Sequence, residues 1–283
     1  MAEISAKAVK ALREQTGAGM MDCKRALAEA DGDVEKATTV LRERGLAKAG
    51  KREGRATSEG VVAIAHQGGA GGIVELGCET DFVARTDDFQ ALGAALAGAV
   101  AGDASIQDAD ALLKARIDGK VVSEAISEAI AKLGENVVVK RVARLEGGTV
   151  GGYVHAGGKL GVLVALEGSG GDAVVKDVAM HVAAADPTPV AVTRDGVDPA
   201  LLETEREIYR TQAIAEGKPE KILDRIVDGK LNKYVSEICL VEQPFVKDPD
   251  KSVGDVLKDA GDQTVVGFQR FKLGQGGEEA ETA

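Results

Sequence analysis

The sequence predicts an α+β protein made of an N-terminal three-helix module and two related α+β subdomains, with a helical hairpin inserted in the second. Three observations carry this. Apolar residues near the N-terminus recur at helical spacing, β-branched runs from Val61 onward alternate with glycine-rich turns, and one pattern occurs twice. That pattern, H-x-G-G-x-x-G-[IV], spans His66 to Ile73 and again His155 to Val162. A chain of 283 residues also has room for two or more units, at roughly 150 residues per domain.

The expected elements follow in order. Ser5 is placed to cap a first helix, Thr16-Gly17 breaks it, and Asp31-Gly32-Asp33 supplies a second break and cap. Ile4, Val9, Leu12, Leu27, Val34, Val40 and Leu41 are the apolar positions of this module, assigned to residues 1–45. A stretch rich in Lys, Arg, Gly and Ala over residues 46–60 reads as a solvated linker. The first subdomain, residues 61–148, opens with strands at Val61–Ala65 and Ile73–Leu76 joined by a glycine turn, which make a hairpin. A helix follows with Leu92, Ala95, Leu96, Ala99 and Val100 on one stripe, and a long strand is expected from Asn136 to Leu145.

The second subdomain, residues 149–273, repeats the hairpin and places Val175, Val178, Ala179 and Val182 on one helical stripe. Over about residues 199–235 two helices joined at Gly217-Lys218-Pro219 read as an antiparallel pair, with Leu223, Ile226, Val227, Leu231 and Tyr234 at helical spacing. A C-terminal module at about 246–273 contains a short helix around Val253 to Leu257 and a strand from Thr264 to Leu273. Residues 274–283 read as a flexible polar tail.

Composition narrows the chemistry. A formal net charge of -11 disfavours broad phosphate-backbone binding, which draws its affinity from Lys and Arg. A protein partner fits better, and no direct nucleic-acid contact is expected. Aromatics make up 3% of the chain with no Trp, so each Phe carries weight. Cys23, Cys78 and Cys239 are odd in number, far apart and without a C-x-x-C pattern, so neither a disulfide framework nor a metal site is signalled. With no signal-like or membrane-length apolar run, the expectation is a soluble cytoplasmic chain without membrane contact.

The glycine runs fail the phosphate-loop pattern. Gly152 and Gly157 are correctly spaced, but Gly158 stands where Lys is needed and Lys159 where a hydroxyl is needed. Turns requiring positive φ explain these glycines instead. His66, His155 and His181 lie in no nucleophile motif, so no catalytic residue and no cofactor are expected. Thr80-Asp81-Phe82-Val83 sits between a strand and a helix, where on residue type alone Phe82 belongs in the core. Two rival functions remain open: RNA binding through Lys48, Lys51, Arg52 and Arg55, and an enzyme using His155 or His181 with a carboxylate.

The run from Leu12 to Leu27, L-R-E-Q-T-G-A-G-M-M-D-C-K-R-A-L, resembles the signature of the bacterial elongation factor Ts family. Further resemblances are Thr80 to Val83, Leu133 to Asn136, the turn at His155, Met180 to Ala184, Gly217 to Pro219 and Gln243 to Val246. Leu133 stands where the family more often has Ile. The resemblance implies a UBA-like N-terminal module, the duplicated core, and the longer form of the family with its hairpin insertion, through which the chain self-associates weakly. It implies elongation factor Tu as partner and guanine nucleotide exchange as function. By the same resemblance Thr80, Asp81, Phe82 and Val83 form a wedge that enters the GTPase beside its magnesium and phosphates. Arg13, Met20, Met21, Lys24, Gly134, Glu135, Asn136 and His155 are the other implied contact positions.

Overall fold

The structure, a computed structural model, describes residues 4–52, 54–168 and 171–275. Most of the expected tail, residues 276–283, and the side chain of Lys48 lie outside the described residues. Mixed α and β structure runs through the chain, with eleven α-helices and small antiparallel sheets among the described residues.

Three helices come first: α1 (Ala6–Thr16), α2 (Met20–Glu29) and α3 (Val34–Gly50). The Ser5 hydroxyl accepts from the Ala8 N–H at 3.1 Å, and α1 ends at Gly17 with φ 66°. The Asp33 carboxylate caps α3 by accepting from the N–H groups of Glu35 and Lys36. Val9, Leu12, Cys23, Ala26 and Leu27 form the core, with Ile4, Val40 and Leu41 against it. Val34, expected inside, is exposed in the first turn of α3. The linker expected from residue 46 begins later, because α3 continues to Gly50. A Cβ on Gly45 would stand 3.1 Å from the Ala131 Cβ, so the helix is seated closely on its neighbour and stays wound through a run of good helix formers.

Next come β1 (Glu59–Gln67), β2 (Ala70–Cys78), α4 (Asp81–Ala84), α5 (Asp87–Gly102), α6 (Ala109–Lys114), the short pair β3 (Arg116–Ile117) and β4 (Lys120–Val121), α7 (Val122–Leu133) and β5 (Val137–Glu146). The β1–β2 loop, Gly68-Gly69, has φ 58° and 84°, as a tight two-residue hairpin requires. β5 pairs antiparallel with β2, so the strand expected between the repeats belongs to the first sheet.

The second half contains β6 (Thr149–His155), β7 (Leu160–Leu166), α8 (Asp172–Ala184), α9 (Pro199–Ala215), α10 (Glu220–Ile238), β8 (Pro244–Phe245), β9 (Asp248–Ser252), α11 (Val253–Asp259) and β10 (Val265–Lys272). β10 pairs with β7, giving the order β10-β7-β6 beside β1-β2-β5. The end of the expected C-terminal module is therefore the third strand of the second sheet. Each sheet has the same make-up: a hairpin, a helix after it, and a later strand antiparallel to the hairpin's second member. Ion pairs Arg206–Asp228 (2.8 Å) and Arg210–Asp224 (2.9 Å) join α9 to α10. A four-residue advance along α9 meets a four-residue retreat along α10, so the two helices run in opposite directions.

The core is layered helix, sheet, sheet, helix. α5 covers the outer face of the first sheet through Phe89, Leu96 and Val100, and α8 covers the second through Val175, Val178 and Val182. The inner faces meet through Val62, Ile73, Val150, Leu163, Ala165 and Phe271. Two glycines expected to serve turns serve this contact instead. A Cβ on Gly71 would lie 2.6 Å from Val150 Cγ1, and one on Gly161 2.5 Å from Val62 Cγ1. The sequence match equates Gly72 with Gly161, yet Gly72 faces α5, where a Cβ would lie 2.4 Å from the Ala97 carbonyl oxygen. The motif is thus out of phase with the structural repeat by one residue, which in a strand exchanges the two faces.

Candidate functional site

The site is built where β2 ends. Thr80 is extended (φ -129°, ψ 156°) and caps the four-residue α4, its hydroxyl oxygen facing the Val83 N–H at 3.5 Å. Val83 and Ala84 are buried beneath the turn and anchor it to the first core. Phe82 points the other way and is 81% exposed, in contrast to the expectation from residue type. Asp81 lies in the first helical turn, where a carboxylate is favoured by the helix dipole, and pairs with Arg85 at 2.9 Å.

The second motif grips the first. α7 ends at Gly134 with φ 83°, a left-handed cap that turns the chain back toward β2. Glu135 Oε2 accepts from the Thr80 N–H at 2.9 Å and Oε1 from the Thr80 hydroxyl at 2.6 Å. One step along both segments, Glu79 Oε1 accepts from the Asn136 N–H at 2.7 Å. Asn136 is buried, and its Nδ2 donates to the Arg55 carbonyl at 3.0 Å. That hydrogen bond to Asn136, aided by Arg55 at 3.4 Å, holds the Glu79 carboxyl below its ordinary pKa. Behind Thr80 the buried Cys78 thiol faces the Thr80 carbonyl, and burial pushes its pKa up to about 12, so it is an unreactive thiol.

The remaining positions arrange around this corner. Lys132, in the last turn of α7, pairs with Asp88 of α5 at 2.7 Å and lies along Gly17, whose Cβ would meet Lys132 Cε at 3.0 Å. The N-terminal helices are thereby joined to the segment that carries α4. Beyond Gly17, Met20 (57%) and Met21 (61%) are exposed apolar side chains at the start of α2, with Arg13 and Lys24 also exposed. His155 is exposed at the end of β6, where its Nδ1 meets the Tyr153 hydroxyl at 2.9 Å. Lys159, just after that turn, pairs with Glu59, which stands opposite Cys78 in the β1–β2 ladder. The His155 turn therefore flanks the same sheet end from which α4 emerges, while His66 is exposed at the other end of β1. His181 is buried between Gln243 and the Val246 N–H, away from solvent chemistry.

Sequence reasoning missed Lys132, Asp88, Arg55 and Glu79 as members of this corner. Of these, Glu79 and Lys132 carried a positional signal, since each directly precedes a motif, Thr80 to Val83 and Leu133 to Asn136. Among the described residues no group of three or more His, Cys, Asp or Glu is arranged to hold a metal ion, and no helix is long and apolar enough to cross a membrane.

Residues 79–275 match the family model described as Elongation factor TS, a span that begins at the Glu79 clamp. A protein of Hydrogenovibrio crunogenus (strain DSM 25203 / XCL-2) named Elongation factor Ts is 48% identical over 283 residues, 99% of this chain and 94% of the relative. The chain belongs to the elongation factor Ts family. The family model covers the Thr80–Val83 turn, the Glu135 clamp, β5, the His155 turn and the second sheet, and the relative extends the similarity to elongation factor Ts through β1, β2 and the three N-terminal helices.

Proposed function

We propose that the protein is a guanine nucleotide exchange factor for elongation factor Tu in cytoplasmic protein synthesis. The observation that carries the reading is Phe82, a large apolar side chain held in solvent on a turn anchored by buried Val83 and Ala84. Burying such a ring on a partner contributes about 1.5 to 3 kcal/mol relative to exposure. Thr80 to Val83 form the wedge, and Asp81 is delivered with Phe82 to the magnesium and phosphate site of the GTPase. Met20 and Met21, adaptable thioether chains, make a second apolar contact flanked by Arg13 and Lys24. His155 lies on the same side of the molecule as the wedge and adds a third.

No covalent step is required. The wedge and the bound nucleotide with its magnesium compete for one arrangement of the GTPase, so each weakens the other. The factor binds the GDP form, promotes release of GDP and magnesium, and stays bound until GTP enters. The three N-terminal helices form the UBA-like module of this family, and α9 with α10 form its inserted helical hairpin, a surface for weak self-association. Two cations of the RNA-binding alternative already have internal partners: Arg52 donates to the Ile130 carbonyl at 3.0 Å and Arg55 pairs with Glu79.

Coupling of this kind is reciprocal. Calorimetric titration of the protein into elongation factor Tu should show much tighter binding to the nucleotide-free GTPase than to the GDP form with magnesium. Equal affinities for the two forms would remove the basis for exchange.

A further inference from the structure

We infer that Glu135 is a positioning residue: its carboxylate holds Thr80, and through it α4, so that Phe82 stands in one orientation before a partner arrives. This rests on the exchange reading above, and it replaces a direct partner contact at Glu135 with an internal role.

Four residues of helix cannot hold themselves in water, because forming a first turn fixes several dihedrals for a single hydrogen bond. The direction of α4 must therefore come from outside it. Val83 and Ala84 anchor one side. The N-terminal side hangs on Thr80, and both Thr80 donors end on the two oxygens of Glu135 at 2.9 and 2.6 Å. Such charge-assisted, two-point contacts fix an angle as well as a distance. A single hydrogen bond would leave the cap free to rotate.

The carboxylate is itself fixed from both sides. Before it, Lys132 is tied to Asp88 and the Ile130 carbonyl to Arg52. After it, the Asn136 N–H is tied to Glu79 and its amide to the Arg55 carbonyl. Two consecutive residues at the end of β2 are thus gripped by two consecutive residues after α7. With both oxygens directed at Thr80, Glu135 is committed inward, and its contribution to exchange is made by aiming Phe82. An aromatic side chain held in place in the free protein avoids part of the ordering cost of association.

The test is a double-mutant cycle on GDP release from elongation factor Tu using E135A, F82A and the double variant, with amide exchange of residues 80–85 read in the free proteins. E135A alone should slow the maximal release rate by about 10- to 100-fold, the loss of a charge-assisted pair together with misplacement of the ring. In the F82A background the same change should cost less than about twofold, because no ring remains to be aimed. The α4 amides of free E135A should exchange about fivefold faster or more, the scale of a lost helix cap. T80V, which removes one of the two donors, should reproduce much of the E135A loss, and that loss too should fall below about twofold in the F82A background. E135Q, which preserves shape and one acceptor, serves if E135A fails to fold, and its loss should likewise vanish in the F82A background.

Losses from E135A and F82A that multiply in full would place Glu135 in a contact of its own with the partner and overturn the proposal. Unchanged α4 amide exchange in E135A would overturn it as well. If the intact protein does not accelerate GDP release, the exchange reading fails, while the amide-exchange comparison still decides whether Glu135 holds α4.

Discussion

Phe82 and His181 invert the usual placement of their residue types. A phenylalanine is ordinarily buried and a histidine intermediate; here the ring of Phe82 is in solvent and His181 is 2% exposed. His181 Nδ1 accepts from the Val246 N–H at 3.2 Å, and Nε2, as the protonated nitrogen, donates to Gln243 Oε1 at 2.9 Å. Burial lowers its pKa from 6.5, against a smaller opposing effect of Gln243. As pH falls the unfolded chain takes up this proton first, so the stability that neutral His181 contributes is present above pH 6.5 and is lost progressively below it. Urea unfolding between pH 7.5 and 5 should show stability falling with pH, with a smaller slope in His181→Gln; equal slopes in the two proteins would contradict this. Residue type alone sent Phe82 to the core, and only the family resemblance pointed outward. The reason is visible in its neighbours: in a four-residue turn Val83 and Ala84 take the inward positions, and no periodicity can be read over so short a span. Glu135 was legible as a position of interest, but its partner Thr80 is 55 residues away, a pairing that spacing cannot supply.

Element existence was legible wherever the pattern was long. Helices α5, α8, α9 and α10 and strands β1, β2 and β5 were expected from stripes or β-branched runs, and they occur close to those bounds. α7 was not anticipated although Val122, Ile126 and Ile130 recur every four residues and are buried. Its start is hidden by the short β3–β4 pair that runs directly into it. The end of α3 was misplaced because Gly45 reads as a breaker, whereas it is a point of close approach to α7. Glycine in β2 was similarly read as turn chemistry when part of it is helix packing. Gly72 is the sharpest case, since a Cβ there would stand 2.4 Å from the backbone oxygen of Ala97, an atom that cannot move without shifting α5. Gly72→Ala should therefore destabilise the protein by about 2 kcal/mol or more, the range for overpacked cores. Thermal or denaturant unfolding checks this, and a loss below about 0.5 kcal/mol, the size of an ordinary surface change, would show that α5 yields freely.

On the scale of the whole molecule, two sheets packed face to face through large apolar side chains, with Gly71 and Gly161 at the closest approaches, form one block crossed by polar ties. Buried Glu75 pairs with Arg141 at 2.7 Å, Arg141 lies over the Phe271 ring at 4.2 Å and donates to the Lys272 carbonyl, and the Gly274 N–H reaches Glu75. That block presents α4 at one end of the first sheet, with the N-terminal helices joined through Lys132 and the His155 turn beside Glu59. The duplication was legible from sequence as a repeated hairpin and helix. Its third strands were legible as strands but their pairing was not, because β5 and β10 return from distant chain positions to pair with β2 and β7. The central claim is that an exposed ring held at one end of this block drives nucleotide release. Its most direct test is stopped-flow release of a fluorescent GDP from elongation factor Tu, with the intact protein and with Phe82→Ala. Strong acceleration by the intact protein, reduced about tenfold or more in the variant as expected for an apolar side chain of this size, is the predicted result; an unchanged rate in Phe82→Ala would contradict the wedge, and no acceleration by the intact protein would contradict the exchange function itself.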